Sequence, residues 1–188
     1  MRKNFNEILY DNETVKTERL ILRKFKKSDA TDIFEYGSDA EVLKYLVWEG
    51  VKSVEAAVSA VVNFYWSKPG IFAIALDGKC IGGFDLKVEP EHEKASFGYV
   101  LNRRFWGQGL MTEALFAVLR LCFEGLDLNR VEATHYVGNE GSGRVMQKCG
   151  MEFEGIAKQE VKVKGVFRDT VHYGITKDGW SVYGQGKL

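Results

Sequence analysis

The sequence predicts one α/β domain with a mostly antiparallel front half and a strand–helix–strand unit in its middle. Three observations carry that expectation. Apolar stretches Ile71–Leu76 and Cys80–Leu86 flank Asp77-Gly78, a dipeptide suited to a tight hairpin. The alternating run Ala95–Leu101 is followed by a helical pattern from Leu110 to Glu124, and then by a strand pattern at Arg130–Val137. Two further strand patterns, Phe153–Val163 and Phe167–Ile175, meet at Lys164-Gly165.

Taken in order, residues 1–14 read as a loose N-terminal arm ahead of a single domain spanning 15–188. Glu18–Phe25 alternates around Leu20 and Leu22, which predicts a strand. Ser28-Asp29 offers an N-cap for a helix carrying Ile33, Phe34 and Tyr36. Gly37-Ser38-Asp39 breaks that helix, and a short helical turn holds Val42, Leu43 and Leu46. Ser53 caps a helix from Val54 to Trp66, with Val58, Val61, Val62 and Tyr65 at helical spacing, and Pro69-Gly70 ends it. Pro90–Lys94 is a polar turn. The helix from Leu110 turns Leu115, Val118, Leu119 and Cys122 to a core, and Gly125 stops it. Ser142–Cys149 reads as a short helix ended by Gly150. Repeats, low-complexity tracts and internal linkers are absent from the sequence.

Composition narrows the function classes. The chain has 188 residues, 45% apolar and 28% charged, enough for one sizeable core. Lys plus Arg and Asp plus Glu balance at 26 each, which argues against bulk nucleic-acid binding. The three cysteines, Cys80, Cys122 and Cys149, are too scattered for a disulfide framework or a zinc site and read as buried thiols in a reducing compartment. His92, His135 and His172 lack metal-ligand spacing. No apolar run approaches membrane-spanning length, and the N-terminus has no apolar signal core, so the expectation is a cytoplasmic protein without metal, membrane or nucleic-acid partners.

The most informative segment is Arg104-Phe105-Trp106-Gly107-Gln108-Gly109, between the Ala95–Leu101 strand and the helix beginning Leu110-Met111. The first N–H groups of a helix lack intrahelical partners, and the macrodipole puts partial positive charge there. Gly107 and Gly109 remove side chains that would hold an anion away, and Arg103 and Arg104 add full charges. That predicts a phosphate or pyrophosphate seat. A Rossmann fingerprint needs a third glycine and a P-loop needs Gly-Lys-Ser/Thr; neither is present.

Three segments in a fixed order say more: Thr17-Glu18-Arg19-Leu20-x-Leu22-Arg23, then Arg104-x-x-Gly107-x-Gly109, then Asn139-x-x-Ser142-x-Arg144-Val145-Met146-x-Lys148-x-Gly150-Met151. This order resembles the GNAT acetyltransferases, in the branch of the ribosomal-protein N-terminal acetyltransferases (RimJ/RimL-like), over residues 15 to 177. The resemblance implies a mixed, mostly antiparallel twisted sheet of roughly six to seven strands with about four flanking helices. The family's fourth and fifth strands splay, which here would open a slot between Phe97–Leu101 and Val131–Val137. It further implies that Arg104, Phe105, Trp106, Gly107, Gln108 and Gly109, with Leu110 and Met111 at the helix start, bind the acetyl-CoA pyrophosphate. By the same resemblance Tyr99, Val100 and Leu101 bond the pantetheine arm through their backbone, Asn139 contacts the arm from the far side, and Arg144 and Lys148, one helical turn apart, reach the CoA phosphates.

The implied chemistry is acetyl transfer to a primary amine by direct attack in a ternary complex. The amine must be neutral, the oxyanion stabilised and the departing thiolate protonated. Many family members carry a tyrosine seven residues after the asparagine as the acid; that position is Met146 here. In the RimJ/RimL-like branch the serine three residues after the asparagine takes the part, which gives Ser142; as a weak acid it fits hydrogen bonding to sulfur or a water relay, and it is also a plausible N-cap. A strand glutamate common in the family is replaced by Ser96. The base is then Glu160, Asp85, Glu132 or water, with Glu160 ranked first because related enzymes use a glutamate near this point.

Several plainer readings stand beside these. Trp48 is expected on the amine pocket, whereas Phe64, Tyr65 and Trp66 are expected in the core. His135 is a slot-lining or structural residue. The chain could also be a non-catalytic acyl-CoA-binding or regulatory module on the same scaffold, and a nucleotide-binding enzyme is a poorer third. The acceptor is a small-molecule amine or a protein N-terminus, and homodimerisation is left open.

Overall fold

In the computed structural model, which describes residues 5–11, 13–65 and 68–184, the strands join one sheet. They are β1 (Thr14–Lys16), β2 (Ile21–Arg23), β3 (Ile71–Leu76), β4 (Lys79–Glu89), β5 (Lys94–Leu101), β6 (Arg130–Tyr136), β7 (Glu152–Val163) and β8 (Val166–Thr176). Their spatial order is β1-β2-β3-β4-β5-β6-β8-β7. Every neighbouring pair is antiparallel except β5 and β6. The exception follows from connection length: a parallel pair needs a crossover, and the long central helix supplies it. The β3–β4 hairpin is tight because Asp77 and Gly78 both adopt left-handed backbone, at φ 48° and 85°.

Seven α-helices accompany the sheet among the described residues: α1 (Phe5–Asp11), α2 (Ala30–Gly37), α3 (Ala40–Leu43), α4 (Val54–Ala60), α5 (Leu110–Arg120), α6 (Glu140–Lys148) and α7 (Lys177–Gly184). Alternation along the strands divides their side chains between two faces. Phe84 and Leu86 of β4, Phe97 and Leu101 of β5, Val131 and Ala133 of β6 and Tyr173 and Ile175 of β8 pack with α5 residues Leu115, Val118 and Leu119. On the other face α2, α4 and the turn after it bury Ile33, Tyr36, Ala57 and Val61 against Ala73 and Cys80. That second layer leaves this same face of β4–β6 open further along, and Gly83, Asp85, Lys87, Ser96, Gly98 and Val100 line the resulting cavity.

The structure departs from the sequence reading at several elements. The segment read as a loose arm holds α1, whose Phe5 and Leu9, at helical spacing, are buried in the main core, and β1, which brings the sheet to eight strands. The helix beginning at Val54 changes to a π-turn at Val61–Tyr65, and Trp66 lies outside the described residues. The helix α7, not anticipated, buries Trp180, which stacks on Phe123 with centroids 5.6 Å apart. Its sequence, Lys177–Gly184, carries two glycines and only a weak apolar stripe, so tertiary packing rather than pattern holds it.

A chain of ion pairs fixes α2 and, through it, the glycine loop. Arg23 of β2 donates from both terminal nitrogens to the two oxygens of Asp29, each at 2.8 Å, and the Lys26 N–H donates to Asp29 at 2.7 Å. One helical face further, Lys79 donates to Asp32 at 2.6 Å and to Glu35 at 2.8 Å. Glu35 also accepts from Asn102 Nδ2 at 3.1 Å, and Asn102 Oδ1 accepts the Arg104 N–H at 3.0 Å. The Glu35 carboxyl is held below its ordinary range, chiefly by the Lys79 hydrogen bond and then by Asn102. Asp29 is 3% exposed, so its removal strands a buried guanidinium. Asp29→Ala is expected to lose about 3–5 kcal/mol of unfolding free energy, read from the urea midpoint at unchanged slope.

Candidate active site

The slot begins where the β5–β6 ladder ends. Lys94, Ala95 and Ser96 pair with Arg130, Val131 and Glu132, and beyond that no pairing joins the two strands. The gap opens into a cavity of about 850 Å³. Phe97–Leu101 remains paired to β4 on one side, through Leu86–Gly82, so its other edge is backbone without a ladder partner among the described residues. Tyr99, Val100, Thr134, His135, Tyr136, Asn139, Ser142 and Met146 all line this space, which brings the predicted strand segment and the predicted helix start to opposite walls.

At the wall nearest α6, the Tyr99 hydroxyl lies 2.8 Å from Ser142 Oγ and also donates to the Ser142 carbonyl at 3.2 Å. Burial pushes the Tyr99 phenol well above its ordinary value, so it keeps its proton at neutral pH. Sequence reasoning placed Tyr99 here for its backbone and missed the hydroxyl, because which strand face meets α6 is set by packing. The N-cap of α6 is Asn139, whose Oδ1 accepts the Ser142 N–H at 3.4 Å; Ser142 sits inside the first turn and is not the cap. Met146, 2% exposed, occupies the cavity wall where the family resemblance would put a phenol.

The glycine loop stands at the C-terminal end of β5. Arg103–Phe105 form one 3₁₀ turn capped by Asn102, an asparagine whose position two residues before Arg104 was the available signal for it. Gly107 and Gly109 hold φ 74° and 77°, left-handed backbone that a side chain would strain. A Cβ on Gly107 would meet nothing within 4 Å, so the loop is open on that side. Gln108 Nε2 donates to the Arg104 carbonyl at 3.0 Å, and Arg19 donates to the Gln108 carbonyl at 3.1 Å while ion-pairing Glu113 at 2.7 Å. The Arg104 guanidinium is exposed and 3.2 Å from Glu35. Trp106 turns back, its Nε1 donating to the Leu101 carbonyl at 2.8 Å, and Phe105 packs on the main core. Leu110 and Met111 bury their side chains, leaving their backbone at the start of α5. Arg144 and Lys148 are exposed on α6, outside the cavity.

The carboxylates separate clearly. Glu160 is not among the residues lining the cavity; it accepts from Thr170 Oγ1 and lies 2.9 Å from His172 Nε2, two strands from the slot edge. Those two contacts hold its carboxyl below the ordinary range, Thr170 first. Glu132 accepts from Lys94 at 2.9 Å and Arg130 at 3.0 Å. Asp85 lines the cavity. So do Trp48, as expected, and Phe64 and Tyr65, which were expected in the core: Phe64 is exposed, whereas Tyr65 packs on the second core layer, stacked on Phe25 at 4.4 Å, and also borders the cavity. His135 lines the cavity and stacks on Tyr173 at 5.7 Å. Among the described residues no three of His, Cys, Asp and Glu converge as a metal-binding group, and no helix is long and apolar enough to cross a membrane. The Cys80 and Cys122 thiols are buried, and desolvation pushes both up to about 12.

Comparison with known proteins places this geometry. Residues 19–152 match the family described as Acetyltransferase (GNAT) domain. The uncharacterized N-acetyltransferase YoaA of Bacillus subtilis (strain 168) is 34% identical over 171 residues, covering 87% of this chain and 96% of YoaA. The ribosomal protein uS5-alanine N-acetyltransferase of Escherichia coli (strain K12) is 28% identical over 179 residues, covering 88% of this chain and 91% of that protein. The crystal structure of a GNAT-family acetyltransferase from Bacillus anthracis aligns with a TM-score of 0.80 at 30% identity, covering 88% of this chain and 99% of that one. With the family model matched over residues 19–152 and that structure superposing over 88% of this chain, the chain belongs to the GNAT acetyltransferases.

Proposed function

We propose that this protein transfers the acetyl group of acetyl-CoA to a primary amine by direct attack within a ternary complex. The parting of β5 and β6 beside the Tyr99–Ser142 hydroxyl pair carries the reading. GNAT proteins use acetyl-CoA. The open, left-handed Gly107 and Gly109, the Leu110 and Met111 N–H groups and the Arg104 charge fit a pyrophosphate. The unpaired edge of Tyr99–Leu101 fits a pantetheine arm lying as a pseudo-strand, with Asn139 on the far wall. Arg144 and Lys148, on the exposed side of α6, fit the outer CoA phosphates.

The step needs no enzyme nucleophile. The amine nitrogen attacks the thioester carbon, the C–N bond forms, and the C–S electron pair leaves with sulfur. Backbone N–H groups of the unpaired β5 edge stabilise the oxyanion. Sulfur takes a proton from Ser142, whose oxygen the neutral Tyr99 hydroxyl steadies across 2.8 Å, and the proton lost by the attacking nitrogen returns through water to Ser142. The hydroxyl pair thus stands in for the acid that Met146 cannot provide. Met146 and Ser96 favour a second reading, an acyl-CoA-binding module without turnover. The uS5-alanine enzyme bears a name that points to a protein N-terminus, so protein and small-molecule amines both enter the test.

Acetyl-CoA at ~100 times its Kd is expected to add about 2.7 kcal/mol to stability, seen as a rise in Tm of about 5–10 °C. Gly109→Val, forcing a β-branched residue to φ 77°, should right-shift that titration by about tenfold. Free-thiol release on mixing acetyl-CoA with an amine panel separates the enzyme from the module. Ser142→Ala should lower kcat by about 100-fold with the KM for acetyl-CoA unchanged, and adding Tyr99→Phe should cost little more because the two hydroxyls act as one unit.

A further inference from the structure

We propose that the acceptor is a small primary monoamine on an apolar or aromatic body, and that Asp85 binds its ammonium and takes its proton. This rests on the acetyltransferase reading above and names its substrate class. Asp85 pairs with Gly98 in the β4–β5 ladder, two residues past Ser96, the last β5 residue joined to β6. It faces the cavity, as Gly83 and Lys87 do. Gly98 presents no side chain, and a Cβ there would meet nothing within 4 Å. The carboxylate therefore borders open space at the strand edge where the thioester would lie.

Its bonding state separates it from the other carboxylates. Glu132 is engaged by Lys94 and Arg130, and Glu160 by Thr170 and His172. Asp85 makes no hydrogen bond or ion pair among the described residues. A carboxylate without a partner in a largely apolar cavity gains most from an arriving cation.

The rest of the lining sets the class. Among the described residues, Asp85 is the only acidic side chain on the cavity, and Lys87 follows it on the same face. One carboxylate matches one ammonium, whereas a polyamine or an aminoglycoside would bring several charges with nothing to receive them. Phe25, Trp48, Phe64 and Tyr65 supply an aromatic wall for an apolar body and for cation–π contact. The roof segment 43–51 is tied across the site: Tyr45 donates to the Gly138 carbonyl at 2.7 Å, and Lys164 at the β7–β8 tip donates to the Leu43 carbonyl at 2.9 Å. That roof favours a small molecule over a polypeptide.

In the step, Asp85 Oδ takes one proton from the bound ammonium and passes it to water, which frees the nitrogen lone pair to attack the thioester carbon. Sulfur leaves with the C–S pair and takes a proton from Ser142, and the second nitrogen proton, lost as the amide forms, returns through water to Ser142. Atoms and charge balance as ammonium plus thioester giving amide, thiol and one proton.

The test measures free-thiol release by the full chain with acetyl-CoA and 2-phenylethylamine, spermidine, kanamycin or a short peptide with a free N-terminus. Acetyl-CoA thermal shifts are recorded in parallel for the parent, Asp85→Asn and Asp85→Glu. The highest kcat/KM is expected for 2-phenylethylamine. Asp85→Asn should lower it about 100-fold or more with the acetyl-CoA shift retained, and Asp85→Glu should recover part of the loss. A parent that shows no acetyl-CoA shift overturns the acetyltransferase reading itself. A shift without turnover of 2-phenylethylamine, or a higher kcat/KM for spermidine, kanamycin or the peptide, overturns only the acceptor class. Those parent measurements decide the class even where a variant fails to fold. Parent-level turnover in a folded Asp85→Asn overturns the role of Asp85, and a Glu160→Gln loss beside it would move the proton acceptor to β7.

Discussion

A β-strand with one edge in a ladder and the other edge bare carries backbone N–H and C=O groups that must find a partner or stay wet. In this protein that constraint falls on Phe97–Leu101. The parallel pairing of β5 to β6 lasts three residues, and β5 then continues against β4 alone. Everything that makes the site follows from this. The bare edge offers a pseudo-strand seat, the gap becomes a cavity, and the strand end delivers the chain to the glycine loop and α5 at the same rim.

Holding a gap open inside a sheet requires rigid walls. One wall is hydrophobic: α5 contributes Leu115, Val118 and Leu119, all fully buried, beneath the splayed strands. The other is electrostatic. Arg23–Asp29 anchors the start of α2, and Lys79, Glu35 and Asn102 connect that helix to the first turn of the loop. The buried Arg23–Asp29 pair is the costly part to break, because either partner alone would be an uncompensated charge. The exposed Arg104–Glu35 contact is worth little by itself. It holds Arg104 next to the loop at small cost, so the guanidinium can exchange one anion for another.

The two hydroxyls and the Asp85 carboxylate lie on different walls, which suits the opposite tasks proposed for them. Tyr99 and Ser142 meet between β5 and α6, while Asp85 reaches the cavity from β4. A proton donor near sulfur and a proton acceptor near nitrogen must not neutralise each other, and separate elements keep them apart.

Local pattern was enough for much of this. The Asp77-Gly78 turn, the α5 periodicity, and the helix read at Ser142–Cys149 and found at Glu140–Lys148 were legible because each is a short-range rule read over a few residues. The slot was placed within a residue or two by the family resemblance rather than by local pattern. Side-chain partnership was not legible. Glu160 and Asp85 are both acidic residues on strands, and only the tertiary structure shows Glu160 bonded to Thr170 and His172 and Asp85 facing the cavity without a bonded partner among the described residues. Phe64 looks like core by spacing yet lies exposed on the open face, while Tyr65 packs on the second core layer and also borders the cavity. The sequence by itself determined the α/β class and the glycine turn that leads into α5, because backbone geometry and periodicity are local. The tertiary structure alone decided which titratable groups share the slot, because that depends on register and on partners far apart along the chain.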